Sequence, residues 1–276
     1  MNAGVFFAVL LAALLHAVWN AVIKLGLSKQ TAMALLTVCN AAIGVVIVAT
    51  SPLPAPAAWP WLCGAVCAHT AYQLFLSYAY DHGDLSRVYP IARGTAPMIV
   101  LVVTHLIMAE DMATTAFAGV IVLGAGIVLM SAGAWRESRR LLLLALGAAA
   151  ATSTYTMLDG IGGRASGAPV AYVGWLMILL AGLYLPITVG LRGVAVLRAD
   201  RRAWALSALG AVASFGAYAI AVWAMTKAPL ALVAALRETS ILFAVLIGWL
   251  WFRERMTRSK ALAALLIVTG AALTRL

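Results

Sequence analysis

Apolar runs of about 17–25 residues recur along the whole chain, each long enough to cross a hydrocarbon core of about 30 Å. Ten can be drawn, at 3–24, 31–50, 58–80, 86–108, 114–133, 142–160, 168–190, 203–225, 230–252 and 259–275. Short separators divide them, among them "SPLPAPAAWP", "DHGDLSR", "WRESRR", "DGIGGRASGAP" and "RERMTRSK", all rich in turn residues or charge. None could hold a soluble domain. In lipid the backbone has no water to bond, so each run has to be a helix rather than a strand. The pattern predicts an all-α polytopic membrane protein with ten transmembrane helices.

Composition supports this reading. The chain is 64% hydrophobic and only 10% charged, where soluble chains carry about 25% charged residues. Its formal charge of +10 does not point to nucleic acid, because Lys and Arg cluster between the apolar runs. The separators after spans 1, 3, 5, 7 and 9 hold 14 of them, whereas the other separators and the termini hold only Arg164, Lys227 and Arg275. Positive charge marks cytoplasmic loops. Odd-numbered loops are therefore expected inside a cell (inner) membrane, with both termini outside. The first run has no basic residue before it and carries His16, Trp19 and Asn20, so it reads as a retained helix, not a cleaved leader. Cys39, Cys63 and Cys67 lie in apolar segments and imply neither a disulfide framework nor, by themselves, a metal site. No cofactor is expected.

The chain also resembles itself. At an offset of 144, "ARGTAP" (92–97) falls on "LRETSI" (236–241), which aligns Arg93 with Arg237 and Thr95 with Thr239. The same offset sets Glu110 on Glu254, Met112 on Met256 and Gly126 on Gly270. Nearer the start an offset of 136 sets "HAVWNAV" (16–22) on "TSTYTML" (152–158), Trp19 on Tyr155. The reading is two five-helix units, residues 1–134 and 141–276. An odd number of crossings makes the second unit an inverted copy of the first. Inverted repeats are an architecture of secondary transporters, with the substrate site between the halves.

Two segments carry a family likeness: "VTHLIMAEDMATTAFAGVIVLGAGIVL" (103–129) and "LIGWLWFRERMTRSKALAALLIVTGAAL" (246–273). Each is a helix ending in an acidic residue, a short polar turn and a glycine-containing closing helix. With "LLHAVWNAVIK" (14–24) and the ten doubled spans, the chain resembles the EamA-type members of the drug/metabolite transporter superfamily over essentially its whole length. The resemblance implies a central cavity lined by helices 1, 3, 4, 6, 8 and 9, with helices 5 and 10 as scaffold. Members move amino acids, nucleotide-sugar-like metabolites, quaternary amines or drugs. Several members read as having basic termini inside, and the loop charges here point the other way.

Within the spans, Arg93 and Arg237 each lie about 10 Å into the core, at about 1.5 Å per residue, entered from opposite faces. A charge at that depth costs about 2.5–3.5 kcal/mol on insertion scales and normally faces protein or a watery cavity. Arg93 has no acidic neighbour at its depth in helices 1, 3 or 4. It would bind an anionic group of the substrate, or else snorkel to headgroups and helix-end carbonyls. Arg237, beside Glu238, reads as half of a structural or gating pair. His69, Tyr72 and Gln73 share one face of span 3, answered by Ser214 and Tyr218 in span 8. They would line a cavity or bond between helices. His16, Trp19 and Asn20 form a similar cluster, answered by Thr152, Tyr155 and Thr156. The histidines and Glu238 are also candidates for proton coupling. Glu110 and Glu254 read as caps for the helix that follows each. Gly119, Gly124, Gly126 and Gly270 suit close helix contact, within a chain or between two copies in a homodimer.

An enzyme is not expected. His-Glu-x-x-His is missing, Asp159 reaches a span only at its edge, and no nucleophile motif surrounds Ser77 near His69. The sequence reading is a secondary transporter of a small organic metabolite, an amino acid or other carboxylate- or phosphate-bearing solute, working by alternating access. The alternative is a cationic amine or drug exporter, with Glu238 and the rings of Trp19, Tyr72, Tyr155 and Tyr218 holding the cation.

Overall fold

A computed structural model describes residues 1–23, 28–82, 85–108, 110, 112–130, 139–251 and 257–275; within these, the side chains of 77, 80–82 and 85–94, among others, fall outside the description. Every described element is helical. The α-helices are α1 (Ala3–Ile23), α2 (Lys29–Thr50), α3 (Trp59–His82), α4 (Leu85–Leu106), α5 (Thr114–Met130) and α6 (Arg139–Ser166), then α7 (Pro169–Arg192), α8 (Arg201–Met225), α9 (Leu230–Arg237), α10 (Ser240–Trp251) and α11 (Arg258–Leu273). Six stretches among the described residues are long and apolar enough to cross a bilayer, and 95–106 and 114–130 are shorter apolar helices.

Local chemistry sets the ends. Ser28, Asp200 and Thr257 accept from backbone amides of the first turns of α2, α8 and α11, satisfying donors that a helix start leaves open. Gly167, at φ 66°, stops α6, and Pro169 then opens α7.

Two expectations need correction. The ninth span is not one helix. After Arg237 the amides of Glu238 and Thr239 bond back three residues, to Ala235 and Leu236, and those of Ile241 and Leu242 do the same to Glu238 and Thr239. This tighter winding divides the span into α9 and α10. The sixth span, expected to end at 160, runs on to Ser166. Its "DGIGG" stretch is not a turn but a bare helix face. A Cβ at Gly160 would lie 2.1 Å from Leu230, one at Gly162 2.6 Å from the Tyr172 hydroxyl, and one at Gly163 2.7 Å from Val222. Missing side chains let α7, α8 and α9 close on α6.

The most extensive pairings are α3 with α6, α1 with α8, α5 with α11 and α2 with α7; α4 lies on α6 and α9. Leu106, Ile107, Leu143, Val212 and Leu265 point outward and stay exposed, a surface suited to acyl chains rather than water. Along the α5–α11 contact, backbones meet directly. A Cβ on Gly119 would lie 2.8 Å from the Gly270 carbonyl oxygen, and one on Gly126 2.9 Å from that of Ala263. These glycines therefore serve a contact within the chain. Gly124 faces Met98 of α4 instead.

Candidate functional site

The break in the ninth span opens onto a cleft. Its wall is Ala96, Pro97 and Val100 of α4, Thr152 and Thr156 of α6, Ala234 and Arg237 of α9, and Glu238 at the break. The cleft is narrow, with a cavity volume of about 10 Å³, and it is partly open to the outside. Arg237 and Glu238 are both buried. Among the described residues no ion pair joins Arg237 to Glu238 or to any other carboxylate, so the expected salt bridge is not formed. The guanidinium instead sits over the Tyr218 ring, 5.1 Å from its centre, a cation–π contact. The Thr152 hydroxyl is buried on the same wall with no hydrogen-bond partner among the described residues. A buried polar atom left open is worth about 1–3 kcal/mol of lost solvation, and a ligand acceptor or donor would restore it.

Behind Tyr218 lies a polar knot that joins the sequence candidates His69, Tyr72, Tyr155 and Tyr218 to Asp159 and Tyr172, which the sequence did not place in a site. Asp159 is wholly buried inside α6, not at a span edge. Its Oδ1 accepts from the Tyr172 hydroxyl at 3.1 Å. Its Oδ2 accepts from the Tyr218 hydroxyl and lies 2.8 Å from His69 Nε2. His69 Nε2 is also 3.1 Å from the Tyr218 oxygen, and its ring stacks on Tyr155 at 3.8 Å. Tyr72 meets Tyr155 edge-on. Four helices, α3, α6, α7 and α8, thus contribute to one cluster. The legible signal was the spacing of Thr152, Tyr155 and Asp159, which puts all three on one face of α6.

The other sequence candidates fall as follows. Arg93 belongs to α4, but its side chain lies outside the described residues, as do Glu254 and the Ser77 side chain. Gln73 keeps its Oε1 buried without a partner among the described residues. His16, Trp19 and Asn20 engage one another within α1: Trp19 Nε1 donates to His16 Nδ1 at 3.3 Å, and Asn20 Nδ2 to the His16 carbonyl at 2.7 Å. None of the three lines the cleft. No group of three or more metal-ligating side chains occurs among the described residues.

Glu110 departs from expectation. It does not cap α5, the helix that follows it. Its Oε2 accepts from the Leu230 amide at the start of α9, at 2.9 Å, and its Oε1 pairs with Arg164 at 2.6 Å. Arg164 also donates to the Met225 and Ala228 carbonyls at 2.8 and 3.0 Å. One carboxylate before α5 is thereby tied to the ends of α6 and α8 and the start of α9.

Comparison with known proteins supplies the rest. No curated protein matches the chain. Among solved structures 29 chains match. One, a crystal structure, is similar over 100% of this chain and 99% of its own, with TM-score 0.81 and 19% identity, a likeness of fold. The sequence model of the EamA-like transporter family matches residues 139–276. That family consists of transporters rather than enzymes, so the apolar helices are those of a multi-pass membrane protein. A helical bundle with a polar cleft at a broken span, in a chain of this sequence, belongs to the EamA-like transporter family.

Proposed function

We propose that this chain is a secondary transporter of small anionic metabolites, amino acids or other carboxylate- or phosphate-bearing solutes, and that the solute's anionic group docks on Arg237. The carrying observation is a buried guanidinium on the cleft wall, held by an aromatic face, with no carboxylate paired to it among the described residues. A planar fork of donors suits carboxylate and phosphate oxygens. Thr152 offers a second polar contact. The cation alternative has the rings of Tyr155 and Tyr218 in its favour, but Arg237 over Tyr218 would repel an ammonium there.

Two inverted five-helix halves working by alternating access are part of this proposal. Exchanging the halves turns the α3–α6 contact into α8–α1, and both are among the most extensive pairings. The glycine contacts behave likewise: shifting by 144 turns Gly119 with Gly270 into Ala263 with Gly126, and both contacts are present. Loop charge supports odd loops and hence both termini placed as the positive-inside rule directs, in the inner membrane. On that topology Glu110 and Arg164 close the outer face, and Arg93 in α4 is the symmetry counterpart of Arg237 in the other half.

The test is a thermal-shift screen of the purified protein against amino acids, di- and tricarboxylates, phosphate monoesters and quaternary amines. An anion should raise the midpoint in the parent and not in Arg237→Gln. Stabilisation by a quaternary amine alone, or by an anion equally in both proteins, would overturn the assignment.

A further inference from the structure

We infer that Asp159 and His69 form a proton-binding site whose occupancy is linked, through Tyr218, to the charge on the cleft wall. The anion half of that link rests on the function proposed above; the proton site does not.

Donor counting shows how the site stands in this structure. Both phenols can donate only one hydrogen, and each has Asp159 within reach. With a hydrogen on His69 Nε2 as well, three donors converge on one carboxyl group. An ionised Asp159 beside a neutral imidazole would put one negative charge out of reach of bulk solvent, since Asp159 is 0% exposed and His69 7%. A buried charge has to be compensated. Among the described residues, the titratable and charged groups facing it are these. From α3 come His69 and, beside Tyr172, Cys63. From α7 and α8 come Tyr172 and Tyr218. On α6 itself Tyr155 covers His69, with Tyr72 against its edge. The positive charge next along is Arg237, whose guanidinium lies over the ring whose hydroxyl sits on Asp159. Glu238 adds a further negative group to the cleft wall.

Arg237 therefore faces two ways, toward the cleft and toward the carboxylate behind Tyr218. An anion bound to it draws on the charge that compensates Asp159, and a proton on the Asp159–His69 pair restores the balance. Reciprocity makes the two binding events favour each other. Proton and anionic solute then load together, as a symporter requires.

Infrared pH-difference spectroscopy of the purified, ligand-free protein tests this across about pH 4–10. A carboxylic-acid C=O band should grow on acidification in the parent and vanish in Asp159→Asn. Tyr218→Phe, which keeps the ring and removes only the hydroxyl, should shift the band's frequency. It keeps the test decisive if Asp159→Asn does not fold. Arg237→Gln removes the neighbouring positive charge without any ligand and should move the midpoint of that band. A band unchanged in both Asp159→Asn and Tyr218→Phe would show a structural knot that takes no proton. A band assigned to Asp159 with an unmoved midpoint in Arg237→Gln would overturn the linkage. Failure of the anion assignment would look different: the midpoint would still respond to Arg237→Gln, while no anion stabilised the protein.

Discussion

Replacing Glu110 by Gln should loosen one face of the bundle. The carboxylate makes two contacts that depend on its charge, the ion pair with Arg164 at 2.6 Å and the bond from the Leu230 amide at 2.9 Å. The Arg164 side chain is 36% exposed and that of Glu110 13%, so solvent screens the pair and its share is held to about 1 kcal/mol or less. The amide opens α9, and a negative charge at a helix start adds about 0.3–1 kcal/mol. Gln keeps an oxygen able to accept, so about 0.3–2 kcal/mol is lost, which corresponds to a factor of about 2–30 in a two-state population. In a chain whose Cys39, Cys63 and Cys67 are replaced by Ala, a single cysteine at Thr156, on the cleft wall, reports that population. Its rate of reaction with a membrane-impermeant thiol reagent should rise by that factor in Glu110→Gln. Arg164→Gln should act in the same direction, and the double variant should fall short of the product of the two. An unchanged rate in Glu110→Gln, or two effects that multiply independently, would refute the latch.

Four further outcomes follow from the packing. Thr152→Val removes a buried hydroxyl with no partner among the described residues; it should stabilise the empty protein by about 1 kcal/mol or more in thermal unfolding while weakening the response to whichever anion the screen returns. Gly270→Ala puts a methyl 2.4 Å from the Leu123 amide nitrogen, so the helices have to part and stability should drop by about 1–3 kcal/mol. Gly182→Ala, inside α7 with nothing within 4 Å of the added carbon, should not lower the same unfolding midpoint. His16→Gln should leave the anion response intact, because His16 lies off the cleft wall.

Sequence and structure part company where packing overrides local signals. Among the described residues each predicted span overlaps helix, the ninth as two pieces, because hydrophobic length and turn chemistry act locally. The break at Glu238 falls on the polar "RETS" (237–240) within "ALRETSILFAVL", a stretch with no Gly or Pro to mark the end of a helix. What singles it out is the pair of charges that gather there, and the sequence shows those as residues without saying that the helix yields beside them. Asp159 was obscured for the opposite reason. The glycines of "DGIGG" read as a loop, yet they are the face on which Leu230, Tyr172 and Val222 rest. Only that close approach brings the hydroxyls of Tyr172 and Tyr218 to a carboxylate. Glu110 shows the same limit, since its partners lie more than fifty positions away along the chain and no local pattern announces them.

The seam between α5 and α11 sets a mechanical condition on the whole bundle. Rows of side chains can slip past one another by changing rotamer, as gears shift teeth, but Gly119 and Gly126 present bare main chain to Gly270 and Ala263. A joint of that kind has no teeth to shift. Whatever rocks in this protein has to rock around these two helices, as a hull rolls about its keel.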